Sequence, residues 1–219
     1  MHYLSNLWNE LDISAIGALA LRLVSVFLCL SVHETCHGLA AYALGDPTAK
    51  RQHRLSLNPL HHIDWFGLAA MVLCGFGWAK PVPVDARYFK RPKSGMALTA
   101  LAGPVSNLLL AALLLFGARF IYYGDTYTPA VALLFDFLLS TAALSIGLGV
   151  FNLVPLPPLD GSKVAAAVLP DAMYIRWMRF EQVGMLLVFA LVMLGIGDGA
   201  LSKAINTVYA FFVDLIILR

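Results

Sequence analysis

Long apolar runs alternate with short polar stretches along this chain. The first covers residues 14–32, interrupted by Arg22, and continues to about residue 44. Others cover 96–122, 129–154, 180–196 and 200–218. Each is near the roughly 20 residues that let a helix cross about 30 Å of hydrocarbon. Five transmembrane helices are therefore predicted, with the last two paired as a C-terminal hairpin (180–218) through the Gly-rich turn at 195–199. The run at 66–77 is apolar but too short to span, and reads as a re-entrant or interfacial segment. Gly45-Asp46-Pro47 stops the first helix.

The stretch 78–84 has a different pattern. Pro81 and Pro83 are two apart, so in an extended strand their missing N–H groups share one edge. Val82 and Val84 then present N–H groups on the other edge. This predicts an edge strand, with 48–57 as its partner, and an unwound peptide adding to it as a further strand. The expected fold is an all-α polytopic membrane protein. It has about five transmembrane helices, a short re-entrant segment and a small membrane-associated β-sheet. No repeat or soluble module interrupts the chain, so 1–219 reads as one domain with a core at 14–170.

Composition strengthens the membrane reading. Of 219 residues, 60% are hydrophobic and 13% charged, more apolar surface than a soluble domain of this size can bury. A net charge of +2 gives no footprint for nucleic acid. The three cysteines, Cys29, Cys36 and Cys74, lie in apolar stretches and form no disulfide framework. The segment before the first run lacks a basic region, so that run reads as a retained span rather than a signal peptide. Lys and Arg concentrate between the first two spans, from Lys50 to Lys93, and after the third, at Lys163, Arg176 and Arg179. The positive-inside bias puts those segments in the cytoplasm, the N-terminus outside and, after five spans, the C-terminus inside. The location implied is a multi-pass protein of a prokaryotic cell membrane.

The chemistry lies at 33–37, His-Glu-Thr-Cys-His. Residues four apart share a helix face, so His33 and His37 can grip one zinc ion while Glu34 reaches a water as general base. Ionisable groups inside a span are costly and usually functional. The motif lies about 12 Å before the helix end, toward the cytoplasmic face. A catalytic zinc takes a third protein ligand. Asp160 follows a Pro-rich break, Pro155-Leu156-Pro157-Pro158, at the same depth and on the same side. By spacing alone it is either that ligand or the N-cap of a helix at 162–169. A metal transporter is the rival class, but the neighbouring helices carry no histidine to extend the site.

These residues together resemble the site-2 protease family of intramembrane metalloproteases, in a compact form without a PDZ domain. The resemblance rests on His33-Glu34-x-x-His37 and on Asn152-x-x-Pro155-x-Pro157-Pro158-x-Asp160-Gly161. Gly103-Pro104-x-x-Asn107, the 54–64 stretch and the 77–84 stretch add to it. It implies one zinc per chain on His33, His37 and Asp160, with Glu34 activating water. It also implies substrate or oxyanion contacts from Asn107 and Asn152. The substrate would be a membrane protein cut within or beside a transmembrane helix, in the lipid bilayer, as in regulated intramembrane proteolysis.

Overall fold

The structure is a computed structural model that describes residues 13–74, 78–125 and 128–219. The end of the 66–77 run, residues 75–77, lies outside the described residues. The helices are α1 (Ile13–Ala43), α2 (Thr48–Arg51), α3 (Trp65–Cys74), α4 (Pro92–Tyr122) and α5 (Pro129–Asn152). They are followed by α6 (Asp160–Ala166), α7 (Asp171–Arg179), α8 (Glu181–Met193) and α9 (Asp198–Val213), which runs on as a π-helical turn, Asp214–Leu218. The short α3 occupies the expected re-entrant run.

Local chemistry sets the helix ends. α1 closes on a Schellman motif: Asp46 N–H donates to the Ala41 carbonyl at 2.9 Å, and Gly45 N–H to that of Tyr42 at 3.1 Å. The motif needs a left-handed residue between them, and Gly45 has φ 106°. α4 and α5 both open with proline in the first turn, where its missing N–H is no loss. Thr128 caps α5, its hydroxyl accepting from Val131 N–H at 3.2 Å.

Among the described residues, four helices are long and apolar enough to cross a membrane: 17–43, α4, α5 and 198–218. The expected fifth span is corrected. Its run forms α8, whose 13 residues reach only about 20 Å at 1.5 Å per residue. Gly195 and Gly197, at φ 65° and 90°, turn the chain back early. α1, α4 and α5 alternate in direction, and Arg119 near the end of α4 donates to the carbonyls of Ile216 (2.7 Å) and Ile217 (3.2 Å). Residue 218 therefore sits at the same end of the bundle as the start of α1, not at the opposite end.

Small side chains and hydrogen bonds join the spans. Ala111, Leu115, Ala118, Ala142, Ile146 and Ile217 form the buried apolar core. Ser25 and Thr141 hydroxyls meet at 2.7 Å between α1 and α5, and Ser145 donates to the Asn107 carbonyl at 2.8 Å between α5 and α4. Lipid is as apolar as leucine, so close packing and polar ties hold such helices together better than apolar burial does.

The expected β-sheet is also corrected: no strand occurs among the described residues. The intended partner segment begins as helix α2. Residues 78–85 lack helix, but their backbone groups are engaged elsewhere. Lys80 N–H donates to the His62 carbonyl (2.9 Å), Val82 N–H to Glu34 Oε2 (2.9 Å) and Asp85 N–H to Asp46 Oδ2 (2.7 Å). The carbonyls of Lys80 and Pro81 accept from the Arg54 guanidinium at 2.8 and 3.2 Å. Pro81 and Pro83 have no N–H to give. A ladder has too few groups left to form.

Asp46 is fully buried and also accepts from Thr48 N–H at 2.8 Å, so it ties the end of α1 to this segment. Asp46→Ala leaves those buried donors unsatisfied, at about 1–3 kcal/mol. It should lower the unfolding temperature and speed amide exchange at Asp85. Unchanged exchange at Asp85 would refute the tie.

Candidate metal centre

Helical phase brings His33 and His37 to one face of α1, and α4 packs directly against that face. Gly103 makes the approach possible. A methyl group there would collide with both imidazole rings, so the position accepts no side chain without moving the ligands. Gly149 on α5 is similar, since a Cβ would sit 3.1 Å from the Pro104 carbonyl.

The turn after α5 delivers Asp160. Leu159, not Asp160, holds the N-cap position of α6, and no side chain caps the helix. Asp160 is the first helical residue and its carboxylate turns back into the bundle. Its Oδ2 is 3.1 Å from His33 Nε2 and 3.1 Å from His37 Nε2, and the two Nε2 atoms are 3.0 Å apart. Gly161 permits the turn, because a Cβ there would meet the Leu153 carbonyl. Burial works against the charge on Asp160. The three side chains are almost wholly buried.

Behind this triangle the histidines have partners. His37 Nδ1 is 2.7 Å from the Thr99 carbonyl. A carbonyl only accepts, so Nδ1 carries the proton and Nε2 keeps its lone pair. Pro104 lies inside α4 and cannot donate to the Ala100 carbonyl, which loosens the turn that offers Thr99. Asn107 is fully buried, with Nδ2 3.3 Å from His33 Nδ1 and Oδ1 without a partner. Rotating the amide by 180° lets Oδ1 accept from Nδ1–H, which satisfies the oxygen and frees His33 Nε2 as a ligand. Asn107 therefore sits behind a histidine. The family resemblance implies a substrate or oxyanion contact for Asn107; its amide here meets His33.

In front of the triangle is a cleft of about 510 Å³. Glu34 lines it, partly buried, with Oε2 held by Val82 N–H. Val82 and Val84 face it from the 78–85 segment, and Asn152 faces it from the end of α5. Asn152 Nδ2 donates to the Leu148 carbonyl at 3.0 Å. Met185 and Val188 of α8 close another side. Sequence reasoning missed the Thr99 carbonyl, Gly103 as a spacer and the Val82–Glu34 contact. Only Gly103-Pro104 left a visible trace.

The profile of peptidase family M50 matches residues 120–195, which include Asp160. YwhC of Bacillus subtilis, which carries the name of a zinc metalloprotease, is 36% identical over 185 residues, covering 84% of each chain. The chain belongs to peptidase family M50. Rip2 of Mycolicibacterium smegmatis, likewise named as a zinc metalloprotease, is 31% identical over 160 residues, 68% of this chain and 57% of that protein. Rip3 of Mycobacterium tuberculosis is 30% identical over 134 residues, 57% and 31% of the respective chains. No solved structure matches.

This M50 protein is a zinc metalloprotease, and its four long apolar helices make it an integral membrane protein. Its donor set fits the metal. Two nitrogens and a carboxylate oxygen could hold one ion. Their mutual separations of 3.0–3.1 Å are close to the roughly 3.3 Å between neighbouring ligands of a tetrahedral zinc. In the M50 protease, Gly103→Val should displace the imidazoles and lower zinc content well below one per chain. Asn107→Leu should weaken zinc retention about 10- to 100-fold against a chelator. Asn107→Asp keeps an acceptor and should restore it; equal loss in both variants would exclude an acceptor role.

Proposed function

We propose that this protease hydrolyses peptide bonds within or beside a transmembrane helix of a membrane-protein substrate. His33, His37 and Asp160 hold one zinc ion, and Glu34 is the general base. The observation that carries the reading is the convergence of those three ligand atoms at the foot of a cleft that Glu34 also lines. A zinc ion held there would supply Lewis acidity for the scissile carbonyl and for a water. The rest is work for the protein's own groups.

Glu34 takes the proton of the attacking water and passes it to the leaving amine. Val82 N–H fixes one of its oxygens, so the other is the one that handles the proton. The Thr99 carbonyl and Asn107 keep the two imidazoles aimed forward. An unwound stretch of substrate lies between the metal ligands and the facing wall of Pro81, Val82 and Val84. Asn152 contacts its backbone from the α5 side. The basic segments flanking the site orient it to the cytoplasm of a prokaryotic cell, with residues 17 and 218 toward the opposite face.

Glu34→Gln tests the assignment. The variant should keep zinc at one per chain and lose cleavage of a tethered reporter helix by about 10²- to 10⁴-fold. Wild-type cleavage by that variant would remove Glu34 as the base. Wild-type protein that retains no zinc would overturn the ligand assignment.

A further inference from the structure

A second cleft opens beside the re-entrant helix, away from the metal. It measures about 530 Å³ and is walled by residues 52–54, 60–61, 63–66 and Lys80. Its polar wall carries Arg54, Lys80, His53 and His61, with Asp64 as the carboxylate among them. Asp64 is already engaged, since Oδ1 accepts from Gly67 N–H at 2.9 Å. Arg54 is only 8% exposed, yet its Nε has no partner. A buried guanidinium is costly unless its charge is compensated, and its charge beneath the pocket wall favours an anion there.

The rim has the opposite character. Leu60, Trp65 and Phe66 are 70%, 75% and 83% exposed. Aromatic side chains next to basic ones mark the level where headgroups meet acyl chains. A soluble anion would have no use for these three residues, whereas a phospholipid would cover them with its chains while its phosphate entered the basic pocket.

His53 adds an independent sign. α2 ends as α1 does, with Arg54 N–H donating to the Ala49 carbonyl at 2.9 Å and His53 N–H to that of Lys50 at 3.1 Å. The residue between must be left-handed, and His53 has φ 54°. The equivalent residue after α1 is Gly45, which takes this conformation without strain. Strain kept at a pocket wall points to the side chain that causes it.

We infer that this cleft is a binding site for the phosphate headgroup of an anionic phospholipid, with Lys80 and His53 as its donors and the Arg54 charge beneath them. The site has a route to the metal centre. The Arg54 guanidinium holds the carbonyls of Lys80 and Pro81, and the next N–H, of Val82, holds Glu34.

Full-length protein in nanodiscs would be scored for retained phosphatidylglycerol against phosphatidylcholine by native mass spectrometry. Wild type should favour phosphatidylglycerol. Lys80→Gln should lower that preference about fivefold, the effect of one basic side chain at a membrane surface. Arg91→Gln, a basic residue outside the cleft, should leave it unchanged. His53→Gly should weaken the preference while raising the unfolding temperature, because glycine relieves the strained backbone. A purely structural His53 would alter only the temperature. The proposal fails if wild type shows no preference, if Lys80→Gln retains it in full, or if Arg91→Gln reduces it equally. It also fails if free glycerol phosphate displaces the lipid at matching concentration, which would make the ligand a soluble phosphate. Retention does not depend on catalysis, so these outcomes are separate from the fate of the Glu34 assignment.

Discussion

Three ligand atoms within about 3 Å of one another, drawn from two distant parts of the chain, are the contact to which the rest of the bundle is fitted. Imidazoles and a carboxylate between apolar helices are expensive unless each remaining polar atom has a partner. The partners come from α4, which offers a backbone carbonyl to His37 and a side-chain amide to His33. For α4 to come that close it must be bare at Gly103, and for α5 to follow it must be bare at Gly149. Pro104 fits the same scheme. Its cost to a helix is the loss of one hydrogen bond in a turn where a histidine makes use of a neighbouring carbonyl.

Much of this was legible in the sequence because its signals are local. The pair His33 and His37 needs only a helix to share a face, and α1 is that helix. The apolar lengths of α4 and α5 identify them as spans without any tertiary information. Asp160 was legible as a candidate only. Ligand and N-cap are both consistent with an acidic residue on a Pro-Gly turn, and the choice depended on where the carboxylate points. The fold placed Leu159 at the cap and turned Asp160 inward. Asn107 was legible as a polar residue in a span, but its direction depends on the rotation of α4 against α1, which no local pattern encodes.

The two corrected expectations failed for related physical reasons. In 180–196, hydropathy alone suggested a span. The turn chemistry of Gly195 and Gly197 shortened the helix, and Met185 and Val188 became walls of the cleft. In 78–84, the alternating prolines suggest a strand edge with its N–H groups on one side, but no strand forms there. The acceptors are side chains, not a neighbouring strand. A carboxylate accepts more strongly than a peptide carbonyl, so Glu34 and Asp46 outcompete a ladder for Val82 and Asp85.

That competition explains how a segment without regular structure can form a wall of the cleft. Backbone in a membrane protein must be satisfied internally, and irregular backbone survives only where the protein itself provides partners. Here charged side chains provide them in sequence order. Arg54 takes the carbonyls of Lys80 and Pro81, Glu34 takes the N–H of Val82, and Asp46 takes that of Asp85. Each of the three belongs to a different local unit: the loop after α2, the turn of α1 that carries His33 and His37, and the cap that ends α1. A shift in any one of them moves the others through a few residues of taut backbone. The placement of Glu34 is therefore set as much by the basic loop outside the spans as by the helix that carries it.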